Sequence, residues 1–254
     1  MISIISPSKD LNFNLPGPAI DAEIPRLWDK SWQIAEALKK KKVRDLQKLM
    51  DISPKLAEEN FKRNQEMQKE MSPDRSCPAL FAFDGDVYRG LDARSLDQSE
   101  ISYCIKHLRI LSGLYGLLRP QDLIQPYRLE MGTALKLGRA KDLYAFWKKE
   151  ITELLIKDLS DTGSECLVNL ASQEYAAAVD FGRLGVPVIE VHFRELRNGK
   201  LQFLSFNAKK ARGAMVRYMA EIKALSASDL HGFDRDSYSF DERNSTEHSF
   251  MFVR

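Results

Sequence analysis

Residues 107–132, HLRILSGLYGLLRPQDLIQPYRLEMG, constrain this chain more than any other stretch. Ile101, Ile105, Leu108, Leu111, Tyr115 and Leu118 recur at helical spacing, so the segment opens as an apolar helix. Arg119-Pro120 then breaks it, because proline supplies no N–H and crowds the preceding turn. Gln125, Tyr127, Arg128 and Glu130 follow within six positions. A segment that only filled a core has no need of three arginines, two tyrosines and a glutamate around its turns. A helix, a proline turn and some solvated charge is the competing reading.

The rest of the chain mixes helical and strand patterns. Ile2–Ile5 reads as a short buried strand, followed by the turn Ser6-Pro7-Ser8-Lys9. Leu27, Trp28, Ile34, Ala35 and Leu38 mark a helix face, Val43–Met50 a second helix, and Ser53-Pro54 the cap and first position of a third. Beyond Pro78, ALFAF and DVY flank Asp84-Gly85 and read as a β-hairpin. Asp142 caps a helix that buries Leu143, Phe146, Trp147 and Ile151. Residues 166–170 form a strand, Ala171-Ser172-Gln173 its exit turn, and 174–179 a short helix. PVIEVHFREL and LQFLSF flank Asn198-Gly199, the clearest hairpin in the chain, and 208–224 is helical. There is no internal repeat or linker in the 254 residues. The expectation is a single α/β (α+β) domain over 1–254, with a mixed rather than doubly wound sheet and peripheral helices.

Lys plus Arg total 38 against 36 Asp plus Glu, so net charge says little about partners. Its distribution says more: 101–150 holds nine basic and four acidic residues, and 200–225 six and one. A locally positive surface of this kind attracts anions. The three cysteines, Cys77, Cys104 and Cys166, are far apart and form no disulfide or zinc pattern. The start of the chain lacks the basic and apolar regions of a signal peptide, and no apolar run spans a bilayer. A cytoplasmic protein without a membrane partner is expected.

Lys209, Lys210 and Arg212 crowd the predicted first turn of the 208–224 helix. Three cations there oppose the helix dipole, unless they converge with backbone N–H groups on an anion. Asn169, Ser172 and Tyr175 lie where a strand hands over to a helix, a common ligand position in α/β folds, although Asn and Ser are ordinary turn formers too. Asp86, Tyr88 and Lys9 follow other turns. No GxSxG, P-loop, HExxH or GxGxxG signature appears, and no cofactor or metal is expected. LQKLMDISPKLAEENFKRN, within 43–70, has the layout of a helix-hairpin-helix, which aims backbone N–H groups and cations at phosphate. Asp51 and Ser53 stand where such hairpins carry glycine, and Asp51 repels phosphate, so an ordinary helical hairpin is the other reading.

The strings SPSKDLN, FDGDVYRGL, HLRILSGLYGLLRPQDLIQPYRLEMG, KDLYAFW, NLAS-EY and F-AKKARG occur in this order at the separations that mark one family. The chain resembles, over its full length, the YaaA family of bacterial peroxide stress resistance proteins. That resemblance implies an α/β domain of unusual topology, a positive cleft and a helix-hairpin-helix-like element. It also implies a DNA-binding protein that limits free intracellular iron, and so oxidative DNA damage, under peroxide stress. Lys48, Ser53, Lys55 and Lys62 fall on the hairpin as DNA contacts.

Two functions remain open. One is phosphate-mediated binding of double-stranded DNA. The other is an enzyme acting on a small anionic ligand, phosphorylated or nucleotide-like, with Glu130, Tyr127 and Ser172 as candidate catalytic groups and tyrosines to stack on a base. Both expect Lys9, Arg109, Arg119, Arg128, Asn169, Lys209, Lys210 and Arg212 to meet in one cleft.

Overall fold

The sheet is built around the first residues of the chain. All four residues of β1 (Ile2–Ile5) are buried, as in a central strand covered on both faces. In the computed structural model, which describes residues 1–14, 17–72 and 74–254, α1 (Trp28–Lys39), α2 (Val43–Met50) and α3 (Pro54–Glu66) come next. They lead to β2 (Cys77–Pro78), the short helices α4 (Ala79–Ala82) and α5 (Asp86–Leu91), and α6 (Gln98–His107). β3 (Leu108–Ser112), β4 (Gly116–Leu118) and β5 (Leu123–Ile124) precede the long helix α7 (Leu143–Thr162). The remainder holds β6 (Leu167–Asn169), α8 (Gln173–Ala176), β7 (Val188–Arg197) and β8 (Lys200–Gln202). It closes with α9 (Ser205–Ile222), β9 (Ser239–Phe240) and β10 (Ser249–Val253).

The main sheet runs β4-β3-β1-β6-β7-β10-β9, with β8 paired to the far end of β7. It is mixed, as expected. Its five central strands, β3, β1, β6, β7 and β10, are parallel, and antiparallel β4 and β9 close the edges. From β1 the chain steps to β3 on one side and later continues from β6 to β7 on the other. The central strands therefore wind outward in both directions, which the expectation of a mixed but not doubly wound sheet did not foresee. Helix α9 packs on α5, α6 and β7, and α6 packs on β1 and β3. One contiguous apolar core joins these elements.

Local chemistry sets several boundaries. The Asp142 carboxylate accepts the Ala145 N–H at 2.8 Å and starts α7, and Ser53 accepts the Leu56 N–H at 3.3 Å and starts α3. Asn198 and Gly199 both have positive φ, 51° and 72°, the backbone that a two-residue hairpin between β7 and β8 requires.

Three local expectations fail. The helix predicted to run through 108–118 stops at His107. Every residue from 108 to 118 is buried, so the segment has no polar face to hold a helical period, and it pairs instead with β1 in register Ile4–Arg109. ALFAF and DVY form α4 and α5 rather than a hairpin. Gly85 is there for close approach, not for a turn: a Cβ at this position would collide with the Ser8 hydroxyl. Finally, α9 begins at Ser205, which moves Lys209, Lys210 and Arg212 out of its first turn.

Candidate functional site

Where β1 and β6 lie side by side, their onward connections diverge to opposite flanks of the sheet. A crevice opens outside the carboxyl ends of two such strands, and side chains of the exit loops face into it. Ser6 to Asp10 leave β1 there, and Leu170 to Tyr175 leave β6. The two loops are tied together. The Ser172 N–H donates to Ser6 Oγ at 2.9 Å, the Ser6 hydroxyl lies 3.3 Å from Ser172 Oγ, and the Tyr88 hydroxyl donates to the Ser6 carbonyl at 3.1 Å. The Ser8 hydroxyl donates to the Asp84 carbonyl at 2.9 Å and so fastens the β1 loop to the start of α5.

Helix α9 supplies the cations. It meets α5 at Gly90 and Gly213, where a Cβ on either residue would collide with the backbone of the other helix. This contact brings Lys209 and Arg212 to the crevice beside Lys9, Asp86 and Arg89. The resulting compartment has a volume of about 350 Å³. A second, of about 1030 Å³, adjoins it and shares Ser172, Glu174, Lys209 and Arg212 as lining. Its far wall carries Glu190, His192 and Arg194, which point to one side of β7 by strand alternation.

Arg212 is the group least accounted for by its own protein. Its Nε is fully buried, and nothing among the described residues accepts a hydrogen bond from it. Burial lowers the guanidinium from its ordinary value, Arg194 pushes the same way, and Glu190 opposes them. Arginine stays cationic regardless, so a charge stands between the two compartments, and no carboxylate among the described residues is in direct contact with it. Lys9 is differently placed, since it pairs with Glu130 at 2.8 Å. Arg128 lies on the other side of that carboxylate, 3.5 Å away, and its own Nε is buried without a partner among the described residues. Burial, above all, raises the Tyr88 and Tyr175 phenols far from ionisation, and burial lowers His192, with Arg194 adding to the effect.

The expected convergence is therefore partial. Lys9, Asn169, Ser172, Lys209 and Arg212 line the joined compartments. Glu130 and Arg128 stand behind Lys9. Arg109 and Arg119 do not belong to the site. Arg109 points to α7, where its Nε reaches Asp158 at 2.6 Å, and its Nη1 donates back to the Leu108 carbonyl of β3 at 2.6 Å. Arg119 is held by Asp122 and Glu23, at 2.7 and 2.8 Å. Lys210 turns to Asp236 at 3.1 Å.

Tyr127 and Tyr115 are unavailable for stacking on a base, because both are core residues. The Tyr127 hydroxyl bonds Ser112 at 2.7 Å, and Tyr115 accepts the Gln125 N–H at 2.9 Å. No histidine or carboxylate among the described residues bonds to Ser6 or Ser172 as a general base would, and Glu130 is tied between two cations.

Lys48, Ser53, Lys55 and Lys62 form a separate surface on α2, α3 and their connection, all exposed. Asp51 closes α2 with a left-handed backbone, φ 50°. Among the described residues, no three His, Cys, Asp or Glu side chains gather to hold a metal, and no helix is long and apolar enough to cross a membrane.

Sequence reading missed Arg89, Glu174, Glu190, His192, Arg194 and Phe203 as cleft residues. One signal was available. In VIEVHFREL the polar residues alternate with Val191 and Phe193, so a strand must put Glu190, His192 and Arg194 on one face.

A family model described as peroxide stress protein YaaA matches residues 1–244. Among relatives, the UPF0246 protein IL2146 of Idiomarina loihiensis is 45% identical over 254 residues, covering 100% of this chain and 98% of its own length. A UPF0246 protein of Flavobacterium johnsoniae is 45% identical over 251 residues, with 99% of each chain covered. The UPF0246 protein Mmwyl1_3597 of a Marinomonas species is 46% identical over 252 residues, covering 99% of this chain and 96% of its own.

Proposed function

Because this chain belongs to the YaaA family of peroxide stress proteins, we propose that it serves the response to peroxide by binding a small phosphorylated ligand in the crevice between β1 and β6. One observation carries the reading: Arg212, with Lys209 beside it, lines that crevice, and no acidic side chain among the described residues forms an ion pair with its guanidinium. A phosphate in the crevice offers acceptors and the opposite charge to the rest of the guanidinium, which arginine is shaped to match. The size of the crevice supports a small ligand over a duplex. Its carboxylates, Asp10, Asp86 and Glu174, argue the same way, since a surface that tracks a duplex is dominated by cations. Calorimetric titration with inorganic phosphate tests the reading. A hydrogen bond to a charged group is worth about 1.5–3 kcal/mol, so Arg212→Ala should weaken binding by about ten- to a hundredfold, with Arg212→Lys intermediate. Equal binding by wild type and Arg212→Ala contradicts it.

A second reading rests on a different observation. Lys48 on α2 and Lys55 and Lys62 on α3 are exposed on the helical hairpin, so the two helices can straddle a phosphate backbone. On this reading the protein covers double-stranded DNA without reading its sequence, and limits the damage that free intracellular iron inflicts there. Three phosphate contacts give a log–log salt slope of about −2.7. Replacing all three lysines by alanine should flatten that slope and leave phosphate binding in the crevice intact. Duplex affinity unchanged by the triple substitution removes this reading.

A further inference from the structure

We infer that the larger compartment is a subsite for the ribose and base of a nucleotide whose phosphate rests on Arg212. This inference rests on the phosphate reading of the crevice and names the class of ligand it takes. The two compartments meet at Ser172, Lys209 and Arg212, so a phosphate held there leaves the rest of its molecule facing about 1030 Å³ of space. Inorganic phosphate fills a small fraction of such a volume.

The walls specify what the rest must be. Phe203 stands half in solvent, 51% exposed, with the Arg194 guanidinium 5.1 Å from its ring centroid. An aromatic ring backed by a cation and left open on a cavity is a stacking platform for a planar base. Ala177, Val179 and Phe181 add apolar lining to the same cavity. Glu190 supplies the polar half. Its two oxygens accept from Asn169 Nδ2 at 3.0 and 2.9 Å, yet an ionised carboxylate has about four acceptor positions. No cation among the described residues takes up the others. A carboxylate with free acceptors repels a second phosphate and receives hydroxyl donors, which is how acidic side chains hold ribose in other nucleotide sites.

The test compares inorganic phosphate, ribose 5-phosphate and adenosine monophosphate on wild type, Phe203→Ala, Glu190→Gln and Arg212→Ala, by calorimetry at fixed salt. Circular dichroism and melting would establish that each variant is folded. Wild type should bind the nucleotide more tightly than ribose 5-phosphate, and ribose 5-phosphate more tightly than phosphate. Base stacking contributes about 1–3 kcal/mol, so Phe203→Ala should cost the nucleotide about five- to a hundredfold and leave phosphate unchanged. Glu190→Gln should weaken both ribose-bearing ligands by about tenfold or more. If phosphate and nucleotide bind equally, and neither substitution separates them, the subsite is refuted while the phosphate reading stands. If none of the three ligands binds wild type more tightly than Arg212→Ala, both fall together.

Discussion

Arg109 and Arg212 show what a partner does for a buried cation. Arg109 shares Asp158 with Arg26, whose Nη1 lies 2.6 Å from the carboxylate. Burial of Asp158 raises its pKa, but the two guanidiniums outweigh it and hold the carboxyl below its usual range. Asp158→Ala strands two cations and should destabilise the protein by about 3–5 kcal/mol, measured by denaturant unfolding, as breaking buried ion pairs does. A loss under 1 kcal/mol would mean that water reaches the pair. Neither arginine could be assigned from sequence, because the deciding partner of Arg109 lies 49 positions away and Arg212 is marked by the lack of an ion-pair partner among the described residues. His107 is a third such residue. Its Nδ1 sits 2.8 Å from the Met1 carbonyl, and burial lowers its pKa. The folded state thus resists a proton that the unfolded state accepts, so stability falls as pH drops below the ordinary histidine value of about 6.5. The melting temperature should decline from pH 7.5 to 5.5, and His107→Asn, which keeps a donor but does not titrate, should flatten part of that decline. A wild-type profile that is level over this range would contradict the assignment.

Among the elements, the contact between α5 and α9 carries most of the site's geometry. A methyl group on Gly213 would run into the Val87 carbonyl and the Leu91 N–H, which are backbone and cannot swing aside. Gly213→Ala should therefore cost about 1–3 kcal/mol or more, and a melting point lower by several degrees would register it. Anion affinity should fall as well, because Arg212 and Lys209 ride on the displaced helix. Unchanged melting together with unchanged affinity would show that the helices part freely. The elements legible in the sequence were those set by neighbouring residues: the α2–α3 hairpin with its Ser53 cap, the Asp142 start of α7, and the Asn198-Gly199 turn. Those that were misread, α4, α5, β3 and β4, are wholly or largely buried segments whose form is chosen by what they pack against. A run such as 108–118 satisfies a helical period and a buried strand equally until β1 is there to pair with it.

At the scale of the whole molecule, the crevice is a product of topology. Lys9 leaves the first strand of the sheet, Ser172 leaves its neighbour β6, and Arg212 arrives on a helix held by α5. No local pattern joins positions about 200 residues apart, although the motif strings marked most of them as unusual for a core. Charge patterning pointed to anions in general. It could not separate Arg212, which has no ion pair among the described residues, from the neutralised Arg109, Arg119 and Lys210, because that distinction exists only after folding. The most direct measurement is a crystal structure of the protein grown with adenosine monophosphate. The phosphate should lie within hydrogen-bonding distance of Arg212 and Lys209, outside the ends of β1 and β6, with the base against Phe203. An empty crevice at saturating nucleotide, or a nucleotide seated on the hairpin lysines instead, would contradict it.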